Sequence, residues 1–336
     1  MITFLAVIFV FGLLIIGHEF GHFISAKLSD IKVMEFSFGM GPRIIKFGKG
    51  ETEYSWRAFP IGGFVKMLGE EEQVNDPRSF SSKPTIVRMI VIASGPIMNI
   101  LISVLIFAVI SMTTGYVKPI VAALTSGFPA QAAGITPGDR IIKVNGQGVY
   151  TYEDFLMFMY QNGGKAINLV VDRNGKQIGV SITPVLNKSE NRYMIGIEAS
   201  QTKANLLEGV QYGFMNTLTF SKQIGGFFKN LIAGKASTED VSGPVGIIKF
   251  AGDAAKQGFG SLLMFTAFLS INLAIMNLIP FPALDGGWLF ILIIEGVRRK
   301  KIDPNKIGVV NFVGFAFLML ITVLVTFRDV LRLNIF

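Results

Sequence analysis

The chain has 336 residues, of which 51% are hydrophobic and only 16% charged; an ordinary globular chain carries roughly 25% charged residues. The apolar residues come in long unbroken runs, which excludes a disordered chain and an ordinary cytosolic enzyme. There is no cysteine, hence no disulfide and no thiolate metal site, and a formal charge of +8 in so apolar a chain points to membrane topology rather than to nucleic acid as a partner.

Four segments meet the length rule for a membrane-spanning helix, about 20 largely apolar residues. The first (1–30) runs from Ile2 to Leu28; it lacks the basic start of a signal peptide and is read as a retained helix. The second (86–114) has no charge between Arg88 and Lys118, the third (259–285) none between Lys256 and Asp285, and the fourth (307–328) none between Lys306 and Arg328. Basic residues crowd the stretch from Lys32 to Arg88 and the connection holding Arg298, Arg299, Lys300, Lys301 and Lys306. Both stretches are therefore expected to be cytoplasmic, and the termini and the long middle region extracytoplasmic. Arg328 and Arg332 in the tail run mildly against that rule.

Between the first two spans (31–85), four strand-like pieces are expected: Met34–Phe38, Ile44–Phe47, Tyr54–Phe59 and Gly63–Met67. Residues 115–187 read as a small β domain. Its β-prone runs are Ile120-Val121, Ile141–Val144, Ile167–Val171 and Ile178–Ile182, with a tight hairpin at Asn174-Gly175 and one helix over Tyr152–Tyr160. The run from Ala132 to Ile142, followed by Val144-Asn145-Gly146, resembles the strand-turn-strand core of a PDZ domain, a fold that binds peptides by strand addition. Ser126–Ala130 stands where a carboxylate-binding glycine loop would be, so the likeness carries the fold rather than peptide capture. Residues 188–258 read as an extracytoplasmic linker with amphipathic helices. Within it, Asn205–Ile232 is interrupted by Glu208, Lys222 and Lys229 and is expected to lie on or near the membrane surface. Residues 286–306 read as a cytoplasmic loop.

The chemistry sits at the end of the first span, in His18-Glu19-Phe20-Gly21-His22. Two histidines four apart share one helix face and can chelate one Zn2+, with the intervening glutamate as general base. They are the only two histidines in the chain, and ionisable groups in an apolar helix are costly and usually functional. A catalytic zinc takes three protein ligands. With no third histidine and no cysteine, the third is a carboxylate or, failing that, an amide. Asp285 directly follows a long uncharged span, after Pro280 and Pro282. Those prolines break a helix and imply extended backbone lining a cavity at membrane depth, which can turn Asp285 towards the histidines. Residue 18 lies about 25 Å along its helix, near the cytoplasmic end, where Asp285 is also expected. Had Asn205–Ile232 crossed the membrane, the two would lie on opposite sides. A metal transporter or a metal-holding scaffold is the alternative class. No internal repeat supports the first, and the complete ligand and base set argues against the second.

At these residues the chain resembles the bacterial site-2 proteases, intramembrane zinc metalloproteases of the RseP type, in the form with a single PDZ domain. The likeness runs through His18–His22, Pro60–Met67, Gly95-Pro96 with Asn99, the PDZ segment, Ser242–Gly246 and Asn277–Gly287. It implies a polytopic α-helical protein of the bacterial inner membrane, in contact with lipid, with a membrane-associated β-structure after the first helix. It implies Zn2+ on His18, His22 and Asp285, Glu19 as catalytic base, and Asn277 and Asn272 as hydrogen-bonding groups for substrate. The β-structure, with Gly62, Gly63 and Phe64, would clamp substrate as an added strand. The implied substrates are single-span membrane proteins such as anti-sigma factors or signal-peptide remnants, first cut by an upstream site-1-type protease.

Overall fold

A computed structural model of the chain describes residues 1–48, 50–70, 72, 74–187, 192–234 and 242–332. Lys49 among the basic residues, parts of the expected linker (188–191 and 235–241) and the tail from 333 lie outside the described residues. In chain order the elements begin with α1 (Ile2–Leu28), β1 (Val33–Phe47), β2 (Glu53–Met67), α2 (Thr85–Thr113), β3 (Tyr116–Leu124) and α3 (Pro129–Ala132). There follow β4 (Arg140–Val144), β5 (Gln147–Gly148), α4 (Tyr152–Asn162), β6 (Ile167–Arg173), β7 (Lys176–Ile182), β8 (Val185–Asn187), β9 (Arg192–Met194) and β10 (Ile197–Thr202). The remainder is helical: α5 (Leu206–Ile232), α6 (Pro244–Gln257), α7 (Phe259–Leu278), α8 (Asp285–Arg298) and α9 (Pro304–Arg332). Among the described residues four helices, α1, α2, α7 and α9, are long and apolar enough to cross a membrane. The chain forms two compact units, residues 1–103 with 224–336, and residues 104–223.

The first unit holds α1, most of α2 and α6–α9 with the β1–β2 sheet. The expected four strand pieces are carried by two bent strands of 15 residues each. Phe36 pairs with both Tyr54 and Val65, and Phe38 with both Trp56 and Gly63, while Ile45 and Phe47 pair with Trp56 and Tyr54 from the other side. Residues 63–67 thus form one margin of this sheet. The bend at Gly39 and Gly41 uses left-handed backbone, φ +86 and +85, open to glycine without strain. Met40, Ile44, Ile45, Trp56 and Phe59 stay exposed beyond the bend.

Helix α7 stops at Leu278 because Ile279 precedes Pro280 and turns extended, with ψ 134. The chain resumes as a helix at Asp285, where a loop was expected over 286–306. The run Trp288–Glu295 is apolar enough to bury Leu292, and Gly286 and Gly287 are needed at its start. A Cβ at Gly286 would come within 2.5 Å of the Leu278 carbonyl and one at Gly287 would strike the Phe281 carbonyl. Only glycine lets the loop fold back on α8 so closely. Helix α8 is tied to α2 by Arg88, whose Nη2 donates to Glu295 Oε2 at 2.7 Å with both side chains buried. Arg88, a topology-setting residue in the sequence, is therefore a structural one as well. Removing one partner of such a pair strands the other, at a cost of about 3–5 kcal/mol.

The second unit contains the PDZ-like domain. Its main sheet runs β10-β3-β4-β6-β7, with β5 beside β4. The alternation of β6 buries Ile167, Leu169 and Val171 completely, over Phe155 and Met159 of α4; truncating one of these to alanine costs about 2–5 kcal/mol. Asn174 and Gly175 both take positive φ, 53 and 82, as a two-residue hairpin of type I′ requires. Helix α4 starts on a Thr151/Asp154 capping box and ends at Gly163, φ 58. The sheet reaches past the expected boundary at 187: β10 pairs along β3, from Ile197 opposite Leu124 to Thr202 opposite Tyr116. Helix α5 is continuous over 27 residues. Its first half packs along the end of α2, where Gly209 and Gly213 permit close approach and Phe220 stacks on Phe107 at 5.5 Å. Tyr212 donates to Glu153 at 3.1 Å and Thr219 to Asp154 at 2.8 Å, tying α5 to the start of α4.

Candidate metal centre

Two turns of chemistry meet at the end of α1. His18 and His22 lie one helical turn apart, both buried, with ring centroids 4.8 Å apart and edge to face. Their Nε2 atoms face each other at 3.2 Å. Asp285 enters from the first turn of α8: its Oδ2 lies 3.1 Å from His18 Nε2 and 3.6 Å from His22 Nε2. The three ligand atoms lie within 4.8 Å of one another.

Hydrogen bonding at the outer ring nitrogens fixes how these atoms can act. His22 Nδ1 is 2.9 Å from the Val91 carbonyl. A carbonyl only accepts, so Nδ1 carries the proton and Nε2 presents a lone pair. His18 Nδ1 faces the Asn99 side-chain amide at 3.4 Å, and Asn99 Oδ1 is buried without a partner among the described residues. Turning that amide over would let Oδ1 accept from His18 Nδ1, satisfying both groups and freeing His18 Nε2 in the same way.

The donor set fits a divalent zinc. Ligands about 2.0–2.1 Å from one tetrahedral centre stand about 3.3–3.4 Å apart, and the three separations of 3.1, 3.2 and 3.6 Å bracket that value. Asp285 Oδ2 is buried without a hydrogen bond among the described residues, an expensive state for a carboxylate unless a cation accompanies it. Two lone-pair nitrogens and one carboxylate oxygen are also the ligand types that suit zinc.

Other expected residues divide. Glu19 follows His18 on α1, and its Cγ is 3.1 Å from where a Cβ at Gly63 would stand, so glycine at 63 lets the sheet margin pass against Glu19. Gly62 has φ +86, and Phe64 follows on the same margin. Asn277 Nδ2 reaches 3.5 Å from His18 Nε2, at the rim of the cluster. Asn272 is not brought in: its amide donates to Phe268 O within α7 at 3.0 Å.

The surrounding support came mostly from one helix. Along α2, Arg88 holds α8, Val91 orients His22, Gly95 makes room for both rings, and Asn99 meets His18. Ser270 of α7 donates to the Asn99 carbonyl at 2.7 Å. Gly95-Pro96 and Asn99 stand out in the sequence, but no role for them follows from it. The Val91 carbonyl leaves no sequence signal at all.

The sequence profile of Peptidase family M50 matches residues 6–321. The chain belongs to that family. Its membership makes this a zinc-dependent metallopeptidase of the site-2 type in a multi-pass membrane protein. A clostridial relative from Clostridium acetobutylicum, whose name includes the words zinc metalloprotease, is 44% identical over 324 residues, 96% of either chain. The regulator of sigma-W protease RasP of Bacillus subtilis is 32% identical, covering 98% of this chain and 99% of its own. The zinc metalloprotease RasP of Geobacillus kaustophilus is 31% identical, covering 96% of each. Among solved structures, the PDZ domain of the SdrC-like protein of Listeria monocytogenes is 20% identical over 25% of this chain and 86% of its own, with a TM-score of 0.22.

Proposed function

We propose that this M50 peptidase hydrolyses peptide bonds within or beside the membrane-spanning segment of single-span membrane proteins, after a first cut by another protease. The observation that carries this reading is the convergence of His18 Nε2, His22 Nε2 and Asp285 Oδ2 beside Glu19 on a helix apolar enough to span a membrane. The name of the Bacillus subtilis relative, a regulator of sigma-W, favours membrane-bound regulators of transcription as substrates.

His18, His22 and Asp285 hold the metal. When bound there, zinc would supply a Lewis acid for the scissile carbonyl and for water. Glu19 takes the proton from that water and returns it to the leaving amine. A helix exposes no backbone amide for attack, so the substrate enters extended. The margin Gly62-Gly63-Phe64 receives it as an added strand beside Glu19, and Asn277 hydrogen-bonds its backbone. The basic stretches from Lys32 to Arg88 and from Arg298 to Lys306 lie in the cytoplasm, and the PDZ-like domain outside.

The test is to reconstitute the full chain in liposomes with a single-span protein trimmed on its outer side, and to read the products by mass. One cut within or beside the span, absent with Glu19→Gln, supports the reading. Cleavage only in soluble loops, or undiminished cleavage by Glu19→Gln, overturns it.

A further inference from the structure

The loop that delivers Asp285 is strained, and something outside it holds it in place. Ala283 has φ +73, a left-handed conformation that a residue with a Cβ rarely adopts. Such a conformation persists only where its surroundings dictate it. The surroundings here are the turn itself, closed by the Leu284 N–H on the Phe281 carbonyl at 3.2 Å, and α9. Ala283 N–H donates to Asn311 Oδ1 at 3.2 Å. Pro282 lies against Gly314, where a Cβ would come 2.5 Å from Pro282 Cβ and 2.7 Å from its carbonyl oxygen. The Phe281 ring lies 5.8 Å from that of Phe317.

Three consecutive loop residues, 281, 282 and 283, thus meet α9 at 317, 314 and 311. The segment is a turn and not extended chain, with Pro282 at its second position and Ala283 at its third. Along that turn the contacts run antiparallel to α9, one loop residue to every three of the helix. Most large apolar side chains of α9, Phe317 among them, are exposed, whereas Gly314 is buried, so the loop meets this helix closely at one place.

We propose that α9 is the template for the metal-binding loop, and that Asn311 is a positioning residue. It acts through the Ala283 N–H to set the direction of Asp285, two residues further on. Gly314 serves the same end by letting Pro282 lie flat on the helix. The inference rests on Asp285 being a zinc ligand, as proposed above. A ligand oxygen is useful only within about 0.2 Å of its ideal distance, so a small release of this loop reaches the metal.

The experiment compares full-length Asn311→Leu, Asn311→Asp, Gly314→Val and Asp285→Ala with the parent. Zinc affinity is read by competition with a chelator, and kcat and KM on a single-span substrate. Asn311→Leu keeps the size but loses the acceptor. It should weaken zinc about tenfold or more and lower kcat, with KM within about twofold. Asn311→Asp keeps an acceptor oxygen and should stay near the parent. Gly314→Val, which acts through Pro282, should repeat the zinc loss should Asn311→Leu fail to fold. Phe315→Leu, on an exposed face of α9, should change nothing. Parent-like zinc affinity and kcat in both Asn311→Leu and Gly314→Val overturn the proposal, as does equal loss in Asn311→Leu and Asn311→Asp. Full zinc binding by Asp285→Ala would instead sink the ligand assignment on which it rests.

Discussion

A Cβ on Gly95 would sit on the Nε2 of His22. It would also lie 2.7 Å from His22 Cε1 and 2.8 Å from His18 Cε1. Glycine within a helix costs about 1 kcal/mol against alanine, so its place in α2 answers to the two rings rather than to the helix. Gly95→Ala should stabilise α2 locally yet push His22 off the cluster. The expected result is a loss of zinc of about tenfold or more, with activity falling alongside. Elemental analysis of the purified variant checks it, and parent-like zinc content would show that the rings can move aside.

Glu19 and Asp285 should separate cleanly. Glu19→Gln removes the proposed base and keeps the three proposed ligands, so zinc should stay near one per chain while cleavage falls by about 100-fold or more. Asp285→Ala should lose metal and activity together. Chelation of the parent should abolish cleavage, and added zinc restore it. Metal analysis and peptide products from the same preparations decide the matter.

The absence of cysteine from the chain offers a direct measurement of orientation. Single cysteines at Ser82 and Asn305 should be shielded from an impermeant thiol reagent in intact cells. One at Asn174 should react. Equal labelling of Ser82 and Asn174 from outside would show that the orientation or the span count is wrong.

The PDZ-like domain carries a pH-dependent contact. The Arg173 guanidinium grips both Asp139 oxygens at 2.7 Å and holds that carboxyl below its usual range, helped by the Thr136 N–H. A folded value below the unfolded one, about 3.9, gives stability that is complete above the unfolded value. It is lost as pH falls through the lower folded value. Asp139→Asn should therefore destabilise the chain at pH 7 by about 1–3 kcal/mol, and the gap to the parent should close in acid. Thermal unfolding between neutral pH and pH 3 checks this; a gap that widens in acid would contradict it.

Much of this site could be read from the sequence because ionisable residues in apolar runs are conspicuous. His18, His22 and Asp285 stand out for that reason, and Pro280 and Pro282 mark the break that lets them meet. What stayed hidden has a physical reason in each case. Strand β10, Ile197–Thr202, has weak strand character of its own and owes its state to pairing with β3. Helix α8 was masked by the basic cluster after it, which suggested a loop. Asn272 and Asn277 are alike in sequence, and only the end of α7 at Leu278 leaves one at the metal cluster and the other on its own helix. Asn311 and Gly314 pass for ordinary members of an apolar span until the loop is laid against them.

Helix α2 does for the ligand set what a jig does for parts awaiting assembly. His22, His18 and the helix that begins at Asp285 are each referred to it, through Val91, Asn99 and Arg88. A second span threaded one turn too deep, about 5.4 Å, would miss all three at once. Retained zinc would then be a readout of correct insertion, available to the cell before any substrate arrives. One residue inserted between Arg88 and Val91 should leave the chain in the membrane and strip it of metal; a metal-loaded insertion variant would show that the ligands find each other without their guide.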